Sequence, residues 1–328
     1  MRIGTRRGVA EVVNGVSYAV RAGETLAIVG ESGSGKTVAA LAVMGLLDEA
    51  ARVTGQVLLG GVDLLGASER QLCRIRGNDI AMVFQDPMTS LNPVRTIGSQ
   101  LVEPIVLHRQ AGAAAARDRA VELLAEVGLP DAHRRLDDYP HQFSGGMRQR
   151  VMIAMALACE PRVLLADEAT TALDVTTQAQ ILDVVAGLQR RLGLAVVWIT
   201  HDLGVVAGIA DRVAVMYAGR ILEQAPVEAL YATPRHPYTA GLLAAVPRVG
   251  GARPRRLRTI PGLPPDPVAL PPGCPFWPRC GYRHDERAAT QVPPLRTVGP
   301  DHLVGCFYDI DGGPAGHGTG SGSGGGHG

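Results

Sequence analysis

Lysine is almost missing from this 328-residue sequence: of its 32 basic residues only Lys36 is lysine, and the rest are arginine. Against them stand 31 Asp and Glu, leaving a formal charge of +1, so no field of one sign draws the chain toward nucleic acid or anionic lipid. Long hydrophobic runs are missing as well. The longest, Thr37–Leu47, spans 11 residues, about half the ~20 that a membrane-spanning helix needs. Five cysteines are too few for a secreted disulfide scaffold. The basic stretch Met1–Gly8 is not followed by the apolar segment of a signal peptide. What remains is a sequence with 46% hydrophobic residues, enough for a packed core in one large domain or two modest ones, and expected in the cytosol. In an Ala/Gly/Arg-rich chain the arginine excess reads as compositional drift, which makes the solitary lysine the residue to explain.

Short β-branched runs alternate with helical patterns. Thr25–Gly30, Ile80–Phe84, Val163–Ala166, Ala195–Thr200 and Arg212–Tyr217 read as strands, and helices are expected from Lys36, Thr96, Ala113, Ser144, Val175 and Val205. Such alternation predicts an α/β fold with a mainly parallel sheet covered on both faces. The sequence reads as a main domain over 1–232, an extension over 233–311 and a disordered Gly/Ser/His tail over 312–328. In the extension, wrapped on the main domain, Pro and Gly are frequent, Arg253, Arg255, Arg256 and Arg258 cluster, and three of the cysteines lie.

Gly30-Glu-Ser32-Gly33-Ser34-Gly35-Lys36-Thr37 fits G-x-x-x-x-G-K-[ST] between a predicted strand and a predicted helix. The glycines let successive backbone N–H groups converge on a phosphate, and the helix N-terminus adds partial positive charge. Lys36 offers a compact ammonium to the β- and γ-oxygens, and Thr37 a hydroxyl for Mg²⁺. Arginine's planar fork is larger than the space inside such a loop, which gives a physical reason for the one lysine. Val163-Leu-Leu-Ala-Asp167-Glu168 ends a buried strand in a carboxylate at the sheet's ligand-binding edge. Asp167 suits Mg²⁺, and Glu168 is placed to polarise an attacking water. These motifs predict a P-loop NTPase.

Phe143-Ser144-Gly145-Gly146-Met-Arg-Gln-Arg150 opens a helix 23 residues before Asp167. Ser144 alone reads as a helix cap, but Gly145 and Gly146 point to a second anion-binding helix end. One phosphate is not easily gripped by two such ends of one subunit, so a partner's nucleotide is the natural client. Here the sequence resembles the ATP-binding cassette family, with its LSGGQ-type signature. The resemblance makes Gln85 a magnesium-contacting, partner-facing glutamine, Asp174 in Thr171-Ala-Leu-Asp174 an interface residue that also suits a helix cap, and His201 in Trp198-Ile-Thr-His201 a γ-phosphate switch. Val215-Met-Tyr-Ala-Gly219 and His236-Pro237-Tyr238-Thr239 resemble the peptide/nickel branch of the importers, with the likeness covering about residues 12–306. It implies an ABC ATPase fold with an antiparallel β subdomain, a helical subdomain at about 90–160 and an irregular C-terminal extension. It further implies ATP and Mg²⁺, a dimer with a second ATPase subunit (itself or a paralogue), two permease subunits, an extracytoplasmic binding protein, and a place on the inner face of the membrane. A soluble, non-transport ABC ATPase and a hydrolysis-impaired partner of a sibling subunit are the competing readings.

The chain also departs from the family pattern. The first strand and its adenine-stacking aromatic normally precede the segment resembling Val12–Val20. Here only Met1–Thr5 stand there, with no aromatic before Tyr18, which is expected to pack in a strand Val16–Val20. A start upstream of Met1, or apolar contact from Ile3, would account for this. Ala169 replaces a proline after Glu168, a mild change. Cys274, Cys280 and Cys306 resemble three positions of a four-cysteine cluster whose remaining position is Arg287, with His284 nearby. A [4Fe–4S] cluster, zinc or plain reduced thiols are the readings this leaves. Cys73 and Cys159, on predicted helices, are expected as small core residues.

Overall fold

The computed structural model describes residues 1–171, 173–246, 259–283, 285–308 and 310. The arginine cluster at 253–258, His284 and the expected tail at 312–328 lie outside the described residues.

In chain order, β1 (Arg2–Thr5) and β2 (Gly8–Glu11) form a hairpin, and β3 (Thr25–Val29) leads into α1 (Lys36–Met44). β4 (Ala51–Arg52) returns to pair with β1, while β5 (Leu58–Leu59) and β6 (Val62–Asp63) make a second small hairpin. After α2 (Glu69–Ile75) and β7 (Ile80–Val83) comes a helical stretch: α3 (Pro87–Ser90), α4 (Ile97–Arg109), α5 (Ala113–Glu126), α6 (Ala132–Arg135) and α7 (Gly145–Ala156). Strands and helices then alternate through β8 (Val163–Asp167), α8 (Val175–Leu192), β9 (Ala195–Thr200), α9 (Leu203–Ile209), β10 (Arg212–Tyr217) and β11 (Arg220–Pro226). The chain closes with α10 (Val227–Ala232), α11 (Pro237–Ala245), α12 (Arg287–Thr290), β12 (Arg296–Gly299) and β13 (His302–Val304).

The main sheet runs β12-β13-β11-β10-β3-β9-β8-β7. Its five strands from β10 to β7 are parallel, and the other three pair antiparallel. The parallel strands are apolar along their length because both faces are covered. Trp198, Val196, Leu164 and Ala166 face a core shared with α4, α5, α7 and α8. Leu26, Ile28, Leu165 and Val197 face α1 on the other side. Among the described residues no helix is long and apolar enough to cross a membrane.

Two expectations need correction. Val16–Val20 pairs in no ladder, although Val16, Tyr18 and Val20 do pack inward against the α1 face. The guanidinium of Arg212 donates to the Ala19 carbonyl of this segment. Burial among these neighbours pushes the Tyr18 phenol up to about 12. Cys73 is exposed on α2, not in the core, and Cys159 is buried just past the end of α7. The extension, irregular over most of its described length, adds β12 and β13 to the main sheet beyond β11.

Candidate functional site: a nucleotide edge

Parallel register decides where the chemistry sits. Val29 pairs with Thr200, Asp167 with Ile199 and Val83 with Ala166, so the residues following these strands emerge together at one edge. The loop after β3 is tight. A Cβ on Gly30 would lie 2.0 Å from the Met216 carbonyl oxygen, and one on Gly35, whose φ is +98°, 2.6 Å from that of Val12. No side chain fits either place.

Lys36 is buried, its ammonium donating to the carbonyls of Gly30 (2.7 Å) and Glu31 (3.0 Å) and to the Ser34 hydroxyl (3.3 Å). Burial lowers its pKa, opposed by the carboxylates of Glu168, Asp167 and Glu31. Ser32 and Gly33 are exposed at the tip of the loop. The Thr37 hydroxyl donates to Asp167 Oδ1 at 3.1 Å, and burial raises the Asp167 carboxyl above its ordinary value.

Glu168 is the hub. It accepts from Gln85 Nε2 at 2.9 Å and from the Thr171 hydroxyl at 3.2 Å, and its other oxygen lies 3.1 Å from His201 Nδ1. Its φ of +47° puts a non-glycine residue in the left-handed region, at a cost on the order of 1–2 kcal/mol. That bend turns the carboxylate from the end of β8 toward Gln85 and His201. The sequence places Thr171 only in the Asp174 segment, and no sequence pattern marks its contact with Glu168.

Ser144, Gly145, Gly146 and Asp174 make contacts elsewhere. Ser144 caps α7, its hydroxyl accepting from Met147 N at 3.3 Å. Asp174 caps α8, accepting from the backbone and hydroxyl of Thr177 at 2.9 and 2.7 Å. The two helix starts touch, since a Cβ on Gly146 would lie 2.5 Å from Thr177 Cγ2. Ser144, Gly145 and Asp174 are exposed.

The sequence profile of the ABC transporter family matches residues 13–171, and that of the oligopeptide/dipeptide transporter C-terminal region matches residues 222–286. The oligopeptide transport ATP-binding protein OppD of Salmonella typhimurium is 50% identical over 307 residues, covering 94% of this chain and 91% of that one. OppD of Escherichia coli is 49% identical over 307 residues, covering 94% and 90%. The chain belongs to the ABC transporter family.

Among solved structures, a dimeric ATP-binding cassette in a post-hydrolysis state with ADP and Pi superposes with a TM-score of 0.62 at 29% identity, covering 69% of this chain and 95% of that one. For an ABC protein, Thr37, Asp167 and Gln85 supply the hydroxyl, carboxylate and amide oxygens that suit Mg²⁺. The cysteine set is different. Cys274, Cys280 and Cys306 line one pocket, and the backbone N–H groups of Tyr282 and Tyr308 donate to the sulfurs of Cys280 and Cys306 at 3.4 and 3.5 Å. Burial pushes the Cys274 thiol up to about 11 and raises that of Cys280. The position of a fourth ligand holds the Arg287 guanidinium, paired with Asp285 and 4.6 Å from the Phe307 ring. No three His, Cys, Asp or Glu among the described residues are grouped to hold a metal. These donors do not fit a four-cysteine cluster.

Proposed function

We propose that the chain hydrolyses ATP as one half of a cassette pair that drives import of peptides or related small solutes through membrane permease subunits. The observation that carries this reading is the convergence of Lys36, Asp167, Glu168, Gln85 and His201 at one sheet edge, with the Ser144 helix start and Asp174 left exposed beside it.

ATP is the substrate. The loop Gly30–Thr37 wraps its β- and γ-phosphates with backbone N–H groups, and Lys36 neutralises the charge that spreads over the transferring phosphoryl group. Thr37, Asp167 and Gln85 would hold Mg²⁺, which would withdraw further charge from the phosphoryl group. Glu168 orients a water and takes up its proton as the water oxygen bonds to the γ-phosphorus and the bond to the ADP oxygen breaks. His201, tied to Glu168, hydrogen-bonds the γ-phosphoryl oxygens. Ser144, Gly145 and Gly146, with Asp174, close over the nucleotide of a second cassette, of the same chain or a paralogue. The pair works at the inner face of the membrane on two permease subunits, supplied by an extracytoplasmic binding protein. The other readings, a soluble non-transport ATPase and a hydrolysis-impaired sibling, have no observation in their favour.

Glu168→Gln is the test. It keeps the hydrogen-bonding shape and removes the base, so ATP turnover should fall by about 10²–10⁴-fold while Mg-ATP binding persists. Sizing by light scattering with ATP should then find accumulated dimers. Near-normal hydrolysis by this variant would remove Glu168 from its role.

A further inference from the structure

One residue of the phosphate loop has the wrong charge for its surroundings. Glu31 sits between Gly30 and Ser32, within electrostatic reach of the Lys36 ammonium, in a loop whose task is to hold an anion. An unpaired carboxylate there repels phosphate. Its partner is Arg279, 248 positions away in the C-terminal extension. The pair is bidentate, with Nη1 to Oε2 at 2.8 Å and Nη2 to Oε1 at 3.1 Å.

The guanidinium is fixed on its other sides as well. It donates to the carbonyls of Pro261 (2.8 Å) and Ile260 (3.3 Å) and to the Tyr217 hydroxyl (3.2 Å), and its side chain is only 6% exposed. Glu31 is held at all three of its polar groups. Its N–H donates to the Tyr238 hydroxyl at 3.0 Å, its carbonyl accepts from Lys36, and its carboxylate accepts from Arg279.

We propose that Arg279 is a positioning residue for ATP: by neutralising and anchoring Glu31 it makes the C-terminal extension a working part of the phosphate site. The proposal rests on the reading that Gly30–Thr37 binds ATP. It gives the extension a role in the cassette's own chemistry. Arg279 acts through Glu31 and so sets affinity rather than the hydrolytic step.

The test uses the full chain, with a fluorescent trinitrophenyl-ATP and Mg²⁺ to read binding and steady-state ATPase assays to separate KM from kcat. Arg279→Met should weaken binding and raise KM by about ten- to thirty-fold, with kcat changed by less than about threefold. Adding Glu31→Gln to Arg279→Met should recover most of the lost affinity, because the unpaired carboxylate is then gone. A residue that merely holds the fold predicts the opposite, a double variant no better than Arg279→Met. Arg279→Gln, which keeps hydrogen-bond donors in place, carries the same pattern should the methionine variant fail to fold. Unchanged affinity in the Arg279 variants, or no recovery in the double variant, overturns the proposal. Failure of the unmodified chain to bind the probe would instead overturn the ATP reading itself.

Discussion

Two Glu–His pairs stand on the same sheet and are treated in opposite ways. At the nucleotide edge, Glu168 and His201 lie 3.1 Å apart with side chains 15% and 52% exposed. At the extension, Glu223 and His302 lie 2.7 Å apart with 0% and 6% exposed. The buried glutamate is saturated: its oxygens also accept from the backbone N–H groups of Arg235 and His236 at 2.7 and 2.9 Å. Among the described residues the edge glutamate accepts only from side chains that can rotate away, and its backbone is held in a strained left-handed turn. A carboxylate that closes a fold is spent on the chain's own donors. One that works on a substrate keeps movable partners and an open side.

The comparison can be broken most sharply by removing one member of each pair. Glu223→Ala strands His302 and two backbone donors in the core, so denaturant unfolding should lose about 3–5 kcal/mol of stability. His201→Ala should leave the unfolding free energy within about 0.5 kcal/mol, as exposed sites do, yet cut ATP turnover by about 10²–10³-fold. If His201→Ala proved the more destabilising of the two, exposure would not be what separates them.

A smaller effect tests the seam between the two exposed helix starts. Gly146→Ala places a methyl against Thr177 Cγ2, where 2.5 Å is available, and should cost about 1–3 kcal/mol as overpacking. Thr177→Ser removes that methyl while keeping the hydroxyl bonded to Asp174, so the double variant should regain most of the loss. Absence of rescue in thermal melts would mean that Gly146 is needed for its backbone alone.

The same division explains what could be read in advance. Phosphate binding requires contiguous residues, because a loop of successive N–H groups must curl around one anion, so Gly30–Thr37 declares itself in the chain. Asp167 and Glu168 follow because they end an apolar strand, whereas His201 at the end of another is marked only by its spacing and by family likeness. The extension works by contacts between residues far apart, Glu31 with Arg279 and Glu223 with His302, and neither half of such a pair carries a local signal. Its strands β12 and β13 have four and three residues, too few for a period-2 pattern to stand out among prolines and glycines. Val16–Val20 shows the converse error, since its alternation marks an inward-facing side but cannot say whether a ladder partner exists. His236-Pro237-Tyr238-Thr239 was visible only by family likeness, and the structure supplies the physics: His236 caps α11 by accepting from Tyr238 N, and Tyr238 reaches the phosphate loop.

His236 also gives the comparison a pH dependence. It is almost completely buried, and burial pulls its pKa down to about 4, against the opposing pull of the Glu223 carboxylate. Unfolded, a histidine takes its proton near 6.5. Between those values the unfolded chain binds more protons, so stability is full above about pH 6.5 and is lost as the pH falls toward 4. At pH 5 this histidine alone should account for about 2 kcal/mol of loss relative to pH 7. His236→Asn offers an amide oxygen to the Tyr238 N–H and cannot titrate, so urea unfolding at the two pH values should show a drop smaller by about that amount. Equal drops in both proteins would show that the extension's acid sensitivity resides elsewhere than in His236.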